Sequence, residues 1–249
     1  SWNDALLATV KLPHKSVWSD KAYIYMAIGV VGTTIAPWMQ FYLQSSIVEK
    51  GIRVKDYGAS RLDVVVGSFF TDLVAWFLVV ACAATLYVHG MGAIAVASDA
   101  AEAMRPLAGD YAFLLFAFGL FNASLFSASI LPLSTAYTVC EGMGFESGVD
   151  KSFKEAPFFY WLYTLLIAGG ALTVLLLPDA QLINVAILSQ VLNGILLPVV
   201  IILMLLLINR KDLMGEHRNS GLGNVVAWGT SLIVIGLTLW MLWGMIPGH

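Results

Sequence analysis

Six long apolar segments leave this chain little choice of solvent. They run roughly over 22–50, 62–88, 111–142, 158–177, 182–209 and 224–243. A helix needs about 20 apolar residues to cross the hydrocarbon of a bilayer, and each segment reaches or exceeds that length. Hydrocarbon offers no partner to a bare N–H or C=O. Spanning segments must therefore be helices or strands of a closed barrel. The two-residue alternation of a barrel strand is absent, so the predicted fold class is an all-α membrane protein.

Charge supports the same reading. Charged residues make up 12% of the chain and hydrophobic residues 59%, and the mean hydropathy is +0.82. Soluble domains carry about 25% charged residues, so this chain has too few to coat a globule in water. A net charge of −3 with no basic stripe argues against a nucleic-acid partner. The partner implied is the lipid bilayer. Cys82 and Cys140 lie far apart in apolar runs and read as core thiols rather than a disulfide or a metal clamp. No nucleophile–base pair stands out, so an enzyme is not expected, and no cofactor is implied.

Orientation follows from the connections. Aromatic residues gather near segment ends (Trp18, Tyr23 and Tyr25; Phe158 to Trp161; Trp240 and Trp243), as in an interfacial belt. Nine basic residues follow the first, third and fifth segments, and four lie on the other side. The positive-inside rule then makes 50–61, 143–156 and 210–223 cytoplasmic in a multi-pass protein of the cell membrane. Residues 1–21 are read as an extracellular loop. They lack the charged head and apolar run of a signal peptide, which suggests a fragment of a longer protein.

The first segment carries the most chemistry. Near its middle it reads Gly32-Thr33-Thr34-Ile35-Ala36-Pro37-Trp38. Pro37 has no N–H and clashes with the carbonyl of Thr33, while Gly32 adds conformational freedom. A helix broken near 32–38 would free carbonyls in the membrane, and transporters use such gaps as ion sites. Thr33 and Thr34 would then lie near the centre of the bundle. The same residues also suit a plain proline kink with threonines rescuing the carbonyls, and the motif alone does not choose. Beyond the break, Trp38, Gln40, Gln44, Ser45, Ser46 and Glu49 form a polar stripe that must face a bundle interior or a water path.

Two other segments contribute candidates. Asp72 falls near the middle of the second segment, with Ser68 and Thr71 beside it and no deep Lys or Arg to pair with. Such an acid faces an interior cavity or another part of the protein, in a functional or a purely structural role. Gln190 and Asn193 in the fifth segment share a helix face. A deep Gln can ligate a cation through its carbonyl oxygen or simply tie helices together. Hydroxyl residues of the third segment, such as Ser134 and Thr135, read as close-packing positions.

These motifs resemble a known family. The run from Gly32 to Lys50 is similar to the sixth helix of the natural-resistance-associated macrophage protein (Nramp) family. The run from Ile187 to Pro198 resembles its tenth helix, and 210–215 the loop that follows. The resemblance covers essentially the whole chain. It implies a leucine-transporter-like fold, with 22–209 as the second inverted five-helix repeat, 210–223 as a cytoplasmic loop and 224–249 as an eleventh helix and C-terminus. It makes the backbone carbonyl of Thr33 a metal ligand, Ala36 the position lining the ion, and Gln190 a polar contributor. Thr34, Pro37, Trp38, Asp72 and Asn193 would support the ion path. The family's principal acidic ligand sits in an Asp-Pro-Gly turn of its first helix, so a missing N-terminal half is the implied partner.

The departures matter too. Manganese and iron importers of the family read Met-Pro-His at the break, where this chain reads Ala36-Pro37-Trp38. Ala36 removes a soft thioether, and Trp38 replaces a titratable imidazole. The fourth segment also lacks the arginines of proton-coupled members. The resemblance is therefore strongest to the Nramp-related magnesium transporters. The expected function is alternating-access transport of magnesium, with manganese as a further cargo, without proton coupling. The rivals are a proton-coupled manganese or iron importer, an organic-solute carrier of the same fold, and a membrane scaffold that transports nothing.

Overall fold

A computed structural model describes residues 2–11, 20–84, 97–102 and 105–245. Helix is the only regular secondary structure among these residues, in α1 (Trp2–Val10), α2 (Lys21–Thr34), α3 (Pro37–Glu49), α4 (Tyr57–Cys82), α5 (Ala97–Glu102), α6 (Arg105–Met143), α7 (Pro157–Leu176), α8 (Asp179–Ile208), α9 (Lys211–Met214) and α10 (Gly221–Met245). Among the described residues six stretches are long and apolar enough to span a bilayer, with α2 and α3 together forming the first. Large apolar side chains along them are widely exposed, including Phe69, Leu115, Leu175 and Leu203. Surfaces of this kind belong in lipid, and the protein is an all-α, multi-pass membrane protein.

Local chemistry sets the element boundaries. Asp20 caps α2 by accepting a hydrogen bond from the Ala22 N–H at 2.9 Å. Pro157 opens α7 at a position where a missing N–H costs nothing. Gly51 ends α3 at φ +62°, which lets the Ile52 N–H reach back to the Ile47 carbonyl at 3.2 Å. Gly144 ends α6 in the same way, with Phe145 N–H on Cys140 O at 2.8 Å. Part of the segment read as an extracellular loop is helical: Trp2–Val10 forms α1, and its scattered apolar residues Trp2, Leu6, Leu7 and Val10 are all exposed. The aromatic-belt residue Trp18 lies outside the described residues.

The chain falls into two compact units, 1–40 with 184–249, and 41–183. The first is built on α2, α8 and α10. Its core is Ile24, Ile28 and Val191, with Tyr25, Ile187 and Leu242 packed around them. Asn224 donates to Asn209, and Asn219 donates to Asn224 at 3.2 Å, tying the end of α8 to the start of α10.

The second unit packs α6 on α7 around Ala136, Tyr137, Cys140, Ala156 and Phe159. Ser134 is buried there, and Ser134, Thr135 and Thr138 bond back to carbonyls of α6 itself. The Tyr137 ring meets Phe159 edge-on at 4.8 Å and Tyr42 of α3 at 5.8 Å. Its hydroxyl donates to Glu49 Oε1 at 2.8 Å and accepts from the Val149 N–H at 2.9 Å. One hydroxyl thus joins the end of α3, the end of α6 and the loop before α7. In that loop Glu155 accepts from the Ser152 hydroxyl and N–H, both at 2.7 Å. These bonds, with Lys151 nearby, hold its carboxyl below the usual range. Tyr137→Phe keeps the ring but strands Glu49 and the Val149 N–H. A loss of about 1–3 kcal/mol is expected, read as a lower Tm of the purified protein in detergent. An unchanged Tm would mean water replaces the hydroxyl without loss.

Candidate site at the helix break

The interruption is short. α2 ends at Thr34, Ile35 and Ala36 are non-helical, and Pro37 is the first residue of α3. Ile35 has φ −123° and ψ 69°, far from helical, although its N–H still bonds to Val31 O at 3.1 Å. The chain re-enters a helix as Met39 N–H bonds to Ala36 O at 3.2 Å. The Thr33 carbonyl would find its helical donor four residues on, where Pro37 has none. Proline alone does not explain a break: Pro132 lies inside α6 and Pro198 inside α8, and both helices continue.

What distinguishes the break is the helix beside it. A Cβ added at Gly32 would stand 2.0 Å from the carbonyl oxygen of Gln190 and 2.5 Å from the nitrogen of Gly194. A Cβ added at Gly194 would stand 2.7 Å from Ile28 O. The two backbones are therefore in direct contact, as small residues permit in membranes. This changes the role read for Gly32. It sits in ordinary helical conformation without positive φ, so its missing side chain serves close approach, not freedom to bend. The helix in contact, α8, carries a proline-deprived carbonyl of its own. Pro198 removes the helical donor of Gly194 O, just as Pro37 removes that of Thr33 O. The sequence signal was available, as glycine four residues ahead of proline in α8, but spacing alone could not pair it with Gly32.

The remaining candidates divide. Ala36 and Pro37 are buried, Ala36 to 3% exposure, and Trp38 is half-buried. Thr33 and Thr34 are both exposed. The Thr34 hydroxyl donates to Val30 O at 2.7 Å, returning to its own helix as threonines near a break commonly do. Gln190 and Asn193 are half-buried on α8, and Asn193 donates to Gln190 Oε1 at 3.3 Å. That oxygen keeps one free lone pair, enough for one further donor or a cation. Asp72 lies in the other unit, exposed on α4, a helix that buries none of its residues. Among the described residues no group of three His, Cys, Asp or Glu could hold a metal. What the site offers is neutral oxygen: the Thr33 and Gly194 carbonyls and the Gln190 carboxamide.

A family profile described as natural resistance-associated macrophage protein-like matches residues 1–244. The chain belongs to the Nramp family. It is 28% identical over 97% of its length to a divalent metal cation transporter MntH of Ralstonia nicotianae, covering 55% of that protein. It is 26% identical over 94% of its length to the MntH of Nostoc sp., covering 54%. For MntH 1 of Pseudomonas aeruginosa the figures are 27%, 93% and 53%. The chain thus spans about half the length of the curated relatives it matches. Nramp membership and the six spans found among the described residues fit together.

Proposed function

We propose that this protein carries a divalent metal cation across the cell membrane by alternating access, and that the cation passes the break between α2 and α3. The observation that carries the reading is the pair of donor-deprived carbonyls, Thr33 and Gly194, on helices that touch at Gly32. A membrane interior tolerates such groups only where protein, water or an ion meets them. The leucine-transporter-like repeat, with 50–61, 143–156 and 210–223 facing the cytoplasm, belongs to the same proposal. The acidic ligand that balances the cation's charge would come from a first-helix turn outside these 249 residues.

The cargo we favour is magnesium, with manganese as a further cargo. Magnesium is small and hard, keeps several waters, and takes oxygen ligands. Ala36 offers no soft donor, and Trp38 has no proton to exchange near neutral pH, which removes one route for coupling metal to proton entry. The second reading is a proton-coupled manganese or iron importer, supported by relatives that bear the name divalent metal cation transporter. Liposomes containing the complete protein separate the two. Magnesium uptake without acidification of the lumen is expected. Proton influx locked to metal uptake, or iron uptake without magnesium uptake, would establish the importer instead.

A further inference from the structure

Beside the proposed ion path one oxygen remains unaccounted for. Gln40 lies in the first turn of α3, four residues beyond Ala36, the non-helical residue that precedes the helix. Its Oε1 is fully buried and accepts no hydrogen bond among the described residues. Gln190 differs, because Asn193 already donates to its oxygen. The other buried oxygen of this kind, Ser45 Oγ, lies five residues further on, rotated by about 140° around the helix, and is not part of the same face.

A buried carboxamide oxygen without a donor costs about 1–3 kcal/mol. Native structures keep such groups where an ion, a water or a function meets them. The start of α3 narrows the choice. The N-terminus of a helix carries partial positive charge, so a bare cation gains nothing by approaching its N–H groups. A buried acceptor in the first turn, close in sequence to the break, can instead take a hydrogen from a water that the cation keeps. Ala36 contributes only a methyl group and leaves room for that water.

We infer that Gln40 is a cargo-facing residue whose Oε1 accepts a hydrogen bond from the water shell of a partly hydrated divalent cation leaving the break along α3. The inference rests on the cation-transport reading and adds to it a specificity residue that acts through water. Polarised by the metal, such a water donates strongly. Ions that hold their water tightly gain most, magnesium above manganese.

The test is uptake by the complete protein in liposomes, with magnesium chloride or manganese chloride as the probe, together with Tm in detergent. Gln40→Leu preserves bulk and removes the oxygen. The expected result is a KM for magnesium raised about tenfold, the size of one lost charge-assisted hydrogen bond, with a smaller rise for manganese, and a Tm unchanged or higher. Gln40→Glu is expected to lower the KM for both ions, which guards against misreading a folding defect. A Gln40→Leu protein that transports magnesium with the parent's KM overturns the inference and leaves the transport reading standing. So does a lower Tm with affinity intact, because the oxygen would then be paired by protein. A parent that carries no divalent cation removes the transport reading and this inference together.

Discussion

Gly32→Val should leave little folded protein, and Gly32→Ala should already lower its stability by about 3 kcal/mol or more. A β-carbon at Gly32 would lie 2.0 Å from the backbone oxygen of Gln190, well inside van der Waals contact. Its neighbours there are backbone atoms of α8, which cannot swing aside as a side-chain tip can. Relief requires α2 and α8 to separate along their contact, which would open the core of Ile24, Ile28 and Val191. Overpacking typically costs 1–3 kcal/mol where side chains can adjust, and this site lacks that freedom. The usual preference of helices for Ala over Gly, about 1 kcal/mol, is thus reversed here. Gly142→Ala is the control, since its added methyl meets nothing within 4 Å. Melting in detergent reads both variants. Equal Tm values for Gly32→Ala and Gly142→Ala would mean that the α2–α8 contact is looser than the structure shows.

That contact also shows where sequence reading stops. The spans were legible because hydrocarbon imposes a length and a hydropathy that no tertiary detail overrides. Span edges were less so. α4 begins at Tyr57 and α6 at Arg105, ahead of the apolar runs at 62 and 111, because a helix extends beyond hydrocarbon wherever its backbone can hydrogen-bond. Family membership was legible in the run from Gly32 to Lys50 and in the run from Ile187 to Pro198. The partnership between those runs was not. Nothing in the spacing of Gly194 names Gly32, since the pairing depends on how two helices cross. The Tyr137–Glu49 bond is hidden for the same reason, being 88 positions apart in sequence. Gln40 was visible only as one polar residue of a stripe. Burial and the lack of a donor, properties of packing, single out its oxygen from Gln44, which is exposed.

Ala36→Met should turn the ion preference of the protein toward manganese and cadmium. Ala36 is buried at the break, where the chain leaves one helix and enters the next. Its methyl group donates nothing, so on our reading the cation there is held by carbonyl oxygen, carboxamide oxygen and its own waters. Methionine changes two things at once. Its thioether is a soft donor that rewards manganese slightly, cadmium strongly and magnesium not at all. Its length fills the space that retained water would occupy, and magnesium gives up water reluctantly. Both effects act in the same direction. In competition uptake with the complete protein in liposomes, the cadmium-to-magnesium preference should rise about tenfold or more, equivalent to about 1.4 kcal/mol. The magnesium KM should rise in parallel. Trp38 is untouched by the change, so the lumen should stay unacidified. An Ala36→Met protein with the parent's preference would mean that position 36 does not line the path, and the cation would then have to be sought elsewhere along α3 and α8.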